Sequence, residues 1–225
     1  MAITNFTALV PMKGHSERVP NKNMRNFRSK PLYHMIVESL LASKYITKVV
    51  INTDSKVIAD DAIKNFDRIE IIDRPSEICG DFVPMNDIIA YDLSQITGEY
   101  FLQTHSTNPM LSTSTIDKSI EVFQANMSQY DSLFSVTRLQ TRLYWQDGSP
   151  VNHNPKELLR TQDLPPVYEE NSNVYLFSRS SFAASGNKRI GLMPYMFEMD
   201  KLEAVDIDDE FDFKMAEMIY RLKES

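Results

Sequence analysis

Short apolar runs alternate with segments whose apolar residues recur at helical spacing, from the start of this chain to its end. Residues 7–11 read as a first strand, and residues 30–43 as a helix carrying Leu32, Met35, Ile36 and Leu40 on one side. A buried strand is expected over 46–52. A helix over 55–66 follows, with Ser55 as its N-cap and Val57, Ile58, Ala62 and Ile63 on its apolar face. A short strand over 69–72 stops at Asp73-Arg74-Pro75, where proline forces an exit. Further helices are expected over 85–93, 114–125 and 211–223, and further strands over 100–104, 131–137 and 173–177. This alternation is the pattern of a parallel or mostly parallel sheet covered by helices, an α/β fold.

Residues 140–166 break the pattern. They are polar, rich in Asn and Pro, and keep no period. So long an irregular insertion inside a compact domain is usually functional, as an interface arm or a lid. Leu143, Tyr144, Trp145, Leu158 and Leu159 within it are too apolar to rest comfortably in water.

Composition narrows the picture. A chain of 225 residues with 42% hydrophobic content can bury one full core, so a single domain spanning 1–225 is expected. The formal charge of -7 argues against a general nucleic-acid binder, which would carry a basic face. No apolar run approaches the roughly 20 residues of a membrane span. The first apolar stretch is interrupted by Asn5, Thr7 and Lys13, so no leader peptide is expected. The lone cysteine, Cys79, excludes an internal disulfide and reads as a small buried hydrophobe in a reducing, cytoplasmic setting.

Against this acidic background the loop after the first strand, LVPMKGHSERVPNKNMR, concentrates Lys13, Arg18, Lys22 and Arg25. It falls at the carboxyl edge of the sheet, where open α/β folds bind ligands. Gly14 permits close backbone approach or a positive φ, and Ser16 adds a hydroxyl to the charges, a set suited to phosphate oxygens. Neither the Gly-x-x-x-x-Gly-Lys phosphate loop nor the Gly-x-Gly-x-x-Gly dinucleotide fingerprint is present. A solvated basic loop would carry the same residues.

These residues also resemble a known family. VPMKGHSERVPNKN matches the first loop of the acylneuraminate cytidylyltransferases, IPARGGSKGIPRKN, at Pro11, Gly14, Ser16, Pro20, Lys22 and Asn23. INTDSKVIAD resembles the STD segment of that family, THSTNPM its QPTSPL, and YEENSNVYLFS its NGAIYI. RIG at Arg189 to Gly191 and the closing VDIDDEFDFKMAE continue the likeness in order. The resemblance implies a three-layer α/β/α Rossmann-like nucleotidyltransferase fold. It also implies attack by the anomeric hydroxyl of an acidic α-keto sugar on the α-phosphate of CTP, releasing pyrophosphate.

Under that resemblance Lys13, Ser16 and Lys22 would cradle the phosphates, with Pro11 and Gly14 shaping the loop. Asn23 would hydrogen-bond the nucleotide, and Arg74 would meet the base or ribose. Asp206 and Asp208, alternate residues of an extended segment, would hold Mg2+, or Mn2+ in its place, with Asp209 left to cap the last helix. Without the resemblance, the same acids read as a capped strand-to-helix turn.

On the sugar side His105 stands where the family has glutamine, and Asn171 and Tyr175 match their motif. Trp145 falls where a lysine would meet the acceptor carboxylate, so Arg138 or Arg142 is the candidate for that charge, Arg142 being the working assignment. Lys13 replaces an arginine, His15 a glycine, and Ser172 the glycine of Asn-Gly. Lys22-Asn23 separates the chain from the eight-carbon KDO-activating branch and favours a nine-carbon, nonulosonic acceptor. The 140–166 insertion resembles an arm that completes a partner's sugar pocket, which implies a homodimer. Two other readings stay open at this point: a sugar nucleotidyltransferase with another acceptor or base, and a catalytically silent nucleotide-binding protein.

Overall fold

The computed structural model describes residues 5–224; residues 1–4, part of the stretch read for a leader, and Ser225 of the single-domain span lie outside the described residues. In chain order the elements are β1 (Phe6–Leu9), β2 (Asn26–Phe27), β3 (Lys30–Pro31), α1 (Leu32–Leu41), β4 (Ile46–Thr53), α2 (Lys56–Asn65), β5 (Ile69–Asp73) and α3 (Met85–Gln95). There follow β6 (Tyr100–Gln103), α4 (Thr113–Asn126), β7 (Ser132–Leu139), β8 (Val167–Ser178), α5 (Arg179–Ala184), β9 (Pro194–Glu198) and α6 (Glu210–Glu224).

One sheet runs β5-β4-β1-β6-β8-β7-β9. Its pairings are parallel except where β8 lies antiparallel between β6 and β7, so the mostly parallel sheet expected from the sequence is what forms. Alternate strand residues divide between two cores, as a two-residue period demands. Phe6, Ala8, Val49, Ile51, Leu102, Val174 and Leu176 face α1, α2 and α4. Leu9, Val50, Phe101, Tyr175 and Phe177 face α3 and α5. Helices thus cover both faces, giving three layers. A third cluster joins Leu32 and Met35 of α1 to Phe213 and Ala216 of α6 through Phe27 and Ile207, which seats α6 beside the first loop.

Several local expectations are corrected. The helix expected over 30–43 begins at Leu32, because Lys30 and Pro31 pair with Phe27 and Asn26. Val57 and Ile63 are exposed, at 63% and 64%, while Ile58, Ala59 and Ala62 face the sheet. Adjacent helical residues diverge by about 100°, so only one of each pair can point inward. Ser55 does cap α2, its Oγ accepting from the Ile58 N–H at 3.4 Å. Strand β8 begins six residues earlier than expected, and its polar first half pairs with β7 across a bulge. The short α5 and the edge strand β9 were not anticipated; serine-rich and proline-led stretches give little periodic signal. Cys79 is half-buried rather than a core residue, its thiol directed at the Pro75 carbonyl.

Candidate active site

The loop following β1 closes over a cavity of about 560 Å3 at the carboxyl edge of the parallel strands. Its walls come from the residues after β1, the turn after β5, the start of α3 and the loop after β6. A single patch therefore gathers segments far apart in the chain, at the place where this sheet architecture leaves room for a ligand.

Close contacts set the loop in place. The Gly14 N–H donates to Asp54 Oδ1 at 2.7 Å, and a Cβ built on Gly14 would lie 2.7 Å from Ser55 Cβ. Glycine is required here by its approach to the cap of α2, and not by a positive φ. Asn23 is buried, and its amide donates to the Lys13 carbonyl at 2.8 Å while accepting from Ser106 Oγ at 2.7 Å. That side chain ties the loop to the end of β6, so its polar atoms are engaged within the protein.

Four cations face the cavity: Lys13, Arg18, Lys22 and Arg74. Lys13 pairs with Asp81 across the mouth, and Arg18 with Asp208 at 2.7 Å. Lys22 donates to the Ile207 carbonyl at 2.6 Å. Its pKa is lowered, first by burial and then by Arg18, against the pull of Asp206 and Asp208. Arg74 is buried, donating through Nε to Asn52 Oδ1 at 2.6 Å and through Nη2 to the Asn52 carbonyl at 3.0 Å. Asn52 in turn donates to Asp92 at 2.5 Å, and burial raises the Asp92 carboxyl to about 7. Pro11 and Ser16 also line the wall. Asp54, Asp81, Asn52 and Asp92 are partners that the loop motifs did not single out.

Opposite the loop lies the segment before α6. Asp206 accepts from Thr107, and its carboxyl pKa is raised, first by local desolvation and next by the negative charge of Asp208. Asp206 and Asp208 are hard-oxygen donors on alternate residues of this segment, a donor chemistry that fits Mg2+. Among the described residues no three or more His, Cys, Asp or Glu are arranged to hold a metal ion by themselves, so water and substrate oxygens would have to supply the remaining ligands. Asp209 caps α6 as expected: its Oδ1 accepts from the N–H of Phe211 at 2.8 Å and of Asp212 at 3.0 Å. Asp212 reciprocates to the N–H groups of Asp208 and Asp209.

The acceptor-side residues are less uniform. His105 lines the cavity beside the loop; burial, then the charges of Arg189 and Lys22, lower its pKa to about 4 and hold the ring neutral. Tyr175 is fully buried under the guanidinium of Arg189, 3.7 Å from its ring centroid; its hydroxyl donates to Glu170 and lies 3.1 Å from Ser172 Oγ. Asn171 pins the β7–β8 bulge, accepting from Ser135 Oγ at 2.6 Å and donating to Thr137 Oγ1 at 3.1 Å. Arg142 is not on the cavity wall; its guanidinium donates to the Leu159 carbonyl within the arm. Arg138 is exposed on β7. Arg189, matched within RIG without a role, donates through Nη1 to Gln103 Oε1 at 2.6 Å and, like Arg142, is not among the residues of the cavity wall.

The chain is 27% identical over 223 residues to Post-translational flagellin modification protein B of Campylobacter coli, covering 94% of this chain and 93% of the relative. It is 25% identical over 233 residues to an N-acylneuraminate cytidylyltransferase of Escherichia coli, covering 98% of this chain and 53% of that longer protein. Among solved structures, the CMP:2-keto-3-deoxy-manno-octonic acid synthetase complexed with CTP superposes with a TM-score of 0.68 at 9% identity, covering 97% of this chain and 99% of that one, a likeness of fold. The family model described as Cytidylyltransferase matches residues 7–224, and the chain belongs to that family of nucleotidyltransferases.

Proposed function

We propose that this protein transfers CMP from CTP to the anomeric hydroxyl of a nonulosonic, sialic-acid-like α-keto acid. The oxygen bonds to the α-phosphorus, the bond from that phosphorus to the β-phosphate bridge breaks, and pyrophosphate leaves as the hydroxyl proton is lost. The observation that carries the reading is the convergence of Lys13, Arg18, Lys22 and Arg74 on one cavity beside a pair of carboxylates. Prepositioned cations stabilise the charge that builds on phosphate oxygens in the transition state. The family, and the name of the N-acylneuraminate relative, support CTP and an acidic sugar as the substrates.

In this scheme Lys13, Ser16 and Lys22 hold the phosphates, and Gly14 and Pro11 set the loop that presents them. Asn23 fixes the curvature of that loop, and Arg74, held on its Asn52–Asp92 support, meets the base or ribose. Asp206 and Asp208 would hold Mg2+, or Mn2+ in its place, which when bound offsets triphosphate charge and orients the leaving group. Arg18 is then free to turn from Asp208 to phosphate. His105 forms part of the wall on which the sugar rests, and Tyr175 lies buried behind that side of the sheet.

The exposed apolar residues of the arm, Tyr144 at 56%, Trp145 at 64% and Leu158 at 94%, support a homodimer in which the arm of each subunit is covered by the other. Light scattering at micromolar concentration should give twice the mass of the chain; a monomer mass would refute the arm assignment. A reducing, cytoplasmic location suits the lone thiol. The activity is tested by pyrophosphate release with CTP, UTP, GTP or ATP against nine-carbon and eight-carbon α-keto acids and sugar 1-phosphates, with and without EDTA. Metal-dependent release specific to CTP and a nine-carbon acid is expected; release only with a sugar 1-phosphate or another base would replace the reading.

A further inference from the structure

Arg74 lines the cavity, and its hold on the rest of the protein passes through one side chain. Asn52 lies near the end of β4 and Arg74 follows β5, and these two strands run parallel side by side. The Arg74 N–H donates to the Thr53 carbonyl at 2.9 Å, so the sheet fixes its backbone. The guanidinium is fixed by Asn52 alone: Nε donates to Asn52 Oδ1 at 2.6 Å and Nη2 to the Asn52 carbonyl at 3.0 Å. Among the described residues Arg74 makes no direct ion pair; Asp54, within electrostatic range, accepts from the Gly14 N–H instead.

A primary amide accepts through oxygen and donates through nitrogen, and a half-turn of the side chain exchanges the two. Arg74 needs the oxygen. Asp92, reaching in from α3, decides which way the amide points, because its Oδ1 accepts from Asn52 Nδ2 at 2.5 Å. With the amide turned over, Nδ2 would meet Arg74 Nε, donor against donor, and Oδ1 would meet a carboxylate oxygen. Asp92 lies one helical turn beyond Ile88, which lines the cavity, so a single helix supplies both part of the wall and the clamp behind it. Holding the carboxylate there is unfavourable: Asp92 is only 1% exposed, and its Oδ2 has no hydrogen-bond partner among the described residues. A local breach of this kind is expected where function requires it.

We propose that Asp92 is a positioning residue for the nucleotide: it touches no substrate, and it locks the Asn52 amide in the one orientation that holds the Arg74 guanidinium in the cavity wall. This rests on the reading above, in which Arg74 meets the base or ribose of CTP. Loss of Asp92 weakens nucleotide binding and spares the acceptor and the chemical step.

The test measures CTP affinity by titration calorimetry and steady-state constants for both substrates in Asp92→Ala, Asp92→Asn, Arg74→Ala and the double variant Asp92→Ala with Arg74→Ala. In Asp92→Ala the CTP dissociation constant and KM should rise roughly 10-fold, the scale of a hydrogen bond to a charged group. The acceptor KM should stay within about twofold and kcat within about threefold of wild type, whereas general loss of structure would lower kcat and leave the CTP KM in place. Asp92→Asn keeps an oxygen for Asn52 Nδ2 and should retain most of the affinity. In the Arg74→Ala background, removing Asp92 should add less than about twofold, because the two residues act as one unit. Asp92→Leu, which fills the space without an acceptor, carries the comparison if Asp92→Ala does not fold. Unchanged CTP affinity without the acceptor, a full loss in Asp92→Asn, or full additivity with Arg74→Ala overturns the proposal and leaves the activity standing. Arg74→Ala with wild-type CTP affinity removes both residues from nucleotide binding. No turnover by the wild type overturns the activity, and the calorimetric comparison still decides the role of Asp92.

Discussion

Replacing Gly14 with alanine puts a methyl carbon 2.7 Å from Ser55 Cβ and 3.2 Å from Ser55 Oγ. Ordinary contact begins near 3.4 Å, so one side must give by about 0.7 Å. Ser55 cannot yield easily, because its Oγ caps α2 and its neighbour Asp54 holds the Gly14 N–H. The loop is the weaker partner, and it carries Lys13 and Ser16. Overpacking of this kind costs about 1–3 kcal/mol. If the loop absorbs it in the bound state, the CTP dissociation constant rises roughly 5- to 150-fold. The assay is titration calorimetry with CTP beside thermal unfolding of the same samples. The second variant is Gly14→Ala with Ser55→Gly, which removes the opposing Cβ while glycine keeps most of the capping preference. Affinity should return in large part. An unchanged CTP affinity and Tm in Gly14→Ala, or no recovery in the double variant, would refute the argument from close approach.

Other perturbations have equally defined outcomes. The Asp92 carboxyl is raised from its ordinary 3.8 to about 7, so the folded state binds the extra proton in that window and stability falls as pH rises through it. Asp92→Asn should flatten that slope in urea unfolding series at successive pH values; an unaltered slope would place the titration elsewhere. His105 acts in the opposite sense, since its pKa drops from 6.5 to about 4, and its contribution is full above 6.5 and lost as pH falls toward 4. His105→Gln should remove that acid-side loss. Ser172 sits at a φ of 58° where the resembled motif has glycine, so Ser172→Gly should raise stability by up to about 1 kcal/mol by thermal unfolding. A lower Tm would mean that the Tyr175 contact with its hydroxyl matters more than the backbone. Asp208→Asn should reduce turnover by about 100-fold or more with the far-UV spectrum unchanged, because charge aimed at the reacting phosphates is the dominant catalytic contribution; wild-type turnover would remove it from the metal pair.

Most of the sheet was legible because those strands are nearly continuous apolar runs, and the cap at Ser55 and the helix expected over 85–93 announced themselves by residue type and period. The first loop was legible through its spacing of Pro11, Gly14, Lys22 and Asn23. The roles within it were less so. Asn23 and Asn171 have the chemistry of ligand-binding amides, but folding turns both to tying backbone and bulge together, which no linear pattern reveals. The place of Arg189 was hidden for a related reason: it lies 86 residues beyond Gln103, its hydrogen-bond partner, and only the antiparallel insertion of β8 beside β6 brings them together. Arg142 and Arg138 attracted the carboxylate role because they are nearer in sequence to the lysine position of the family.

The most direct test of the central claim is the mass of the product. Protein, CTP, Mg2+ and one nonulosonic acid, incubated and separated by liquid chromatography with mass detection, should yield a conjugate weighing the acid plus CMP less water, with one pyrophosphate per conjugate. CTP hydrolysed to CMP without the conjugate, or a conjugate that retains the β-phosphate, would contradict it.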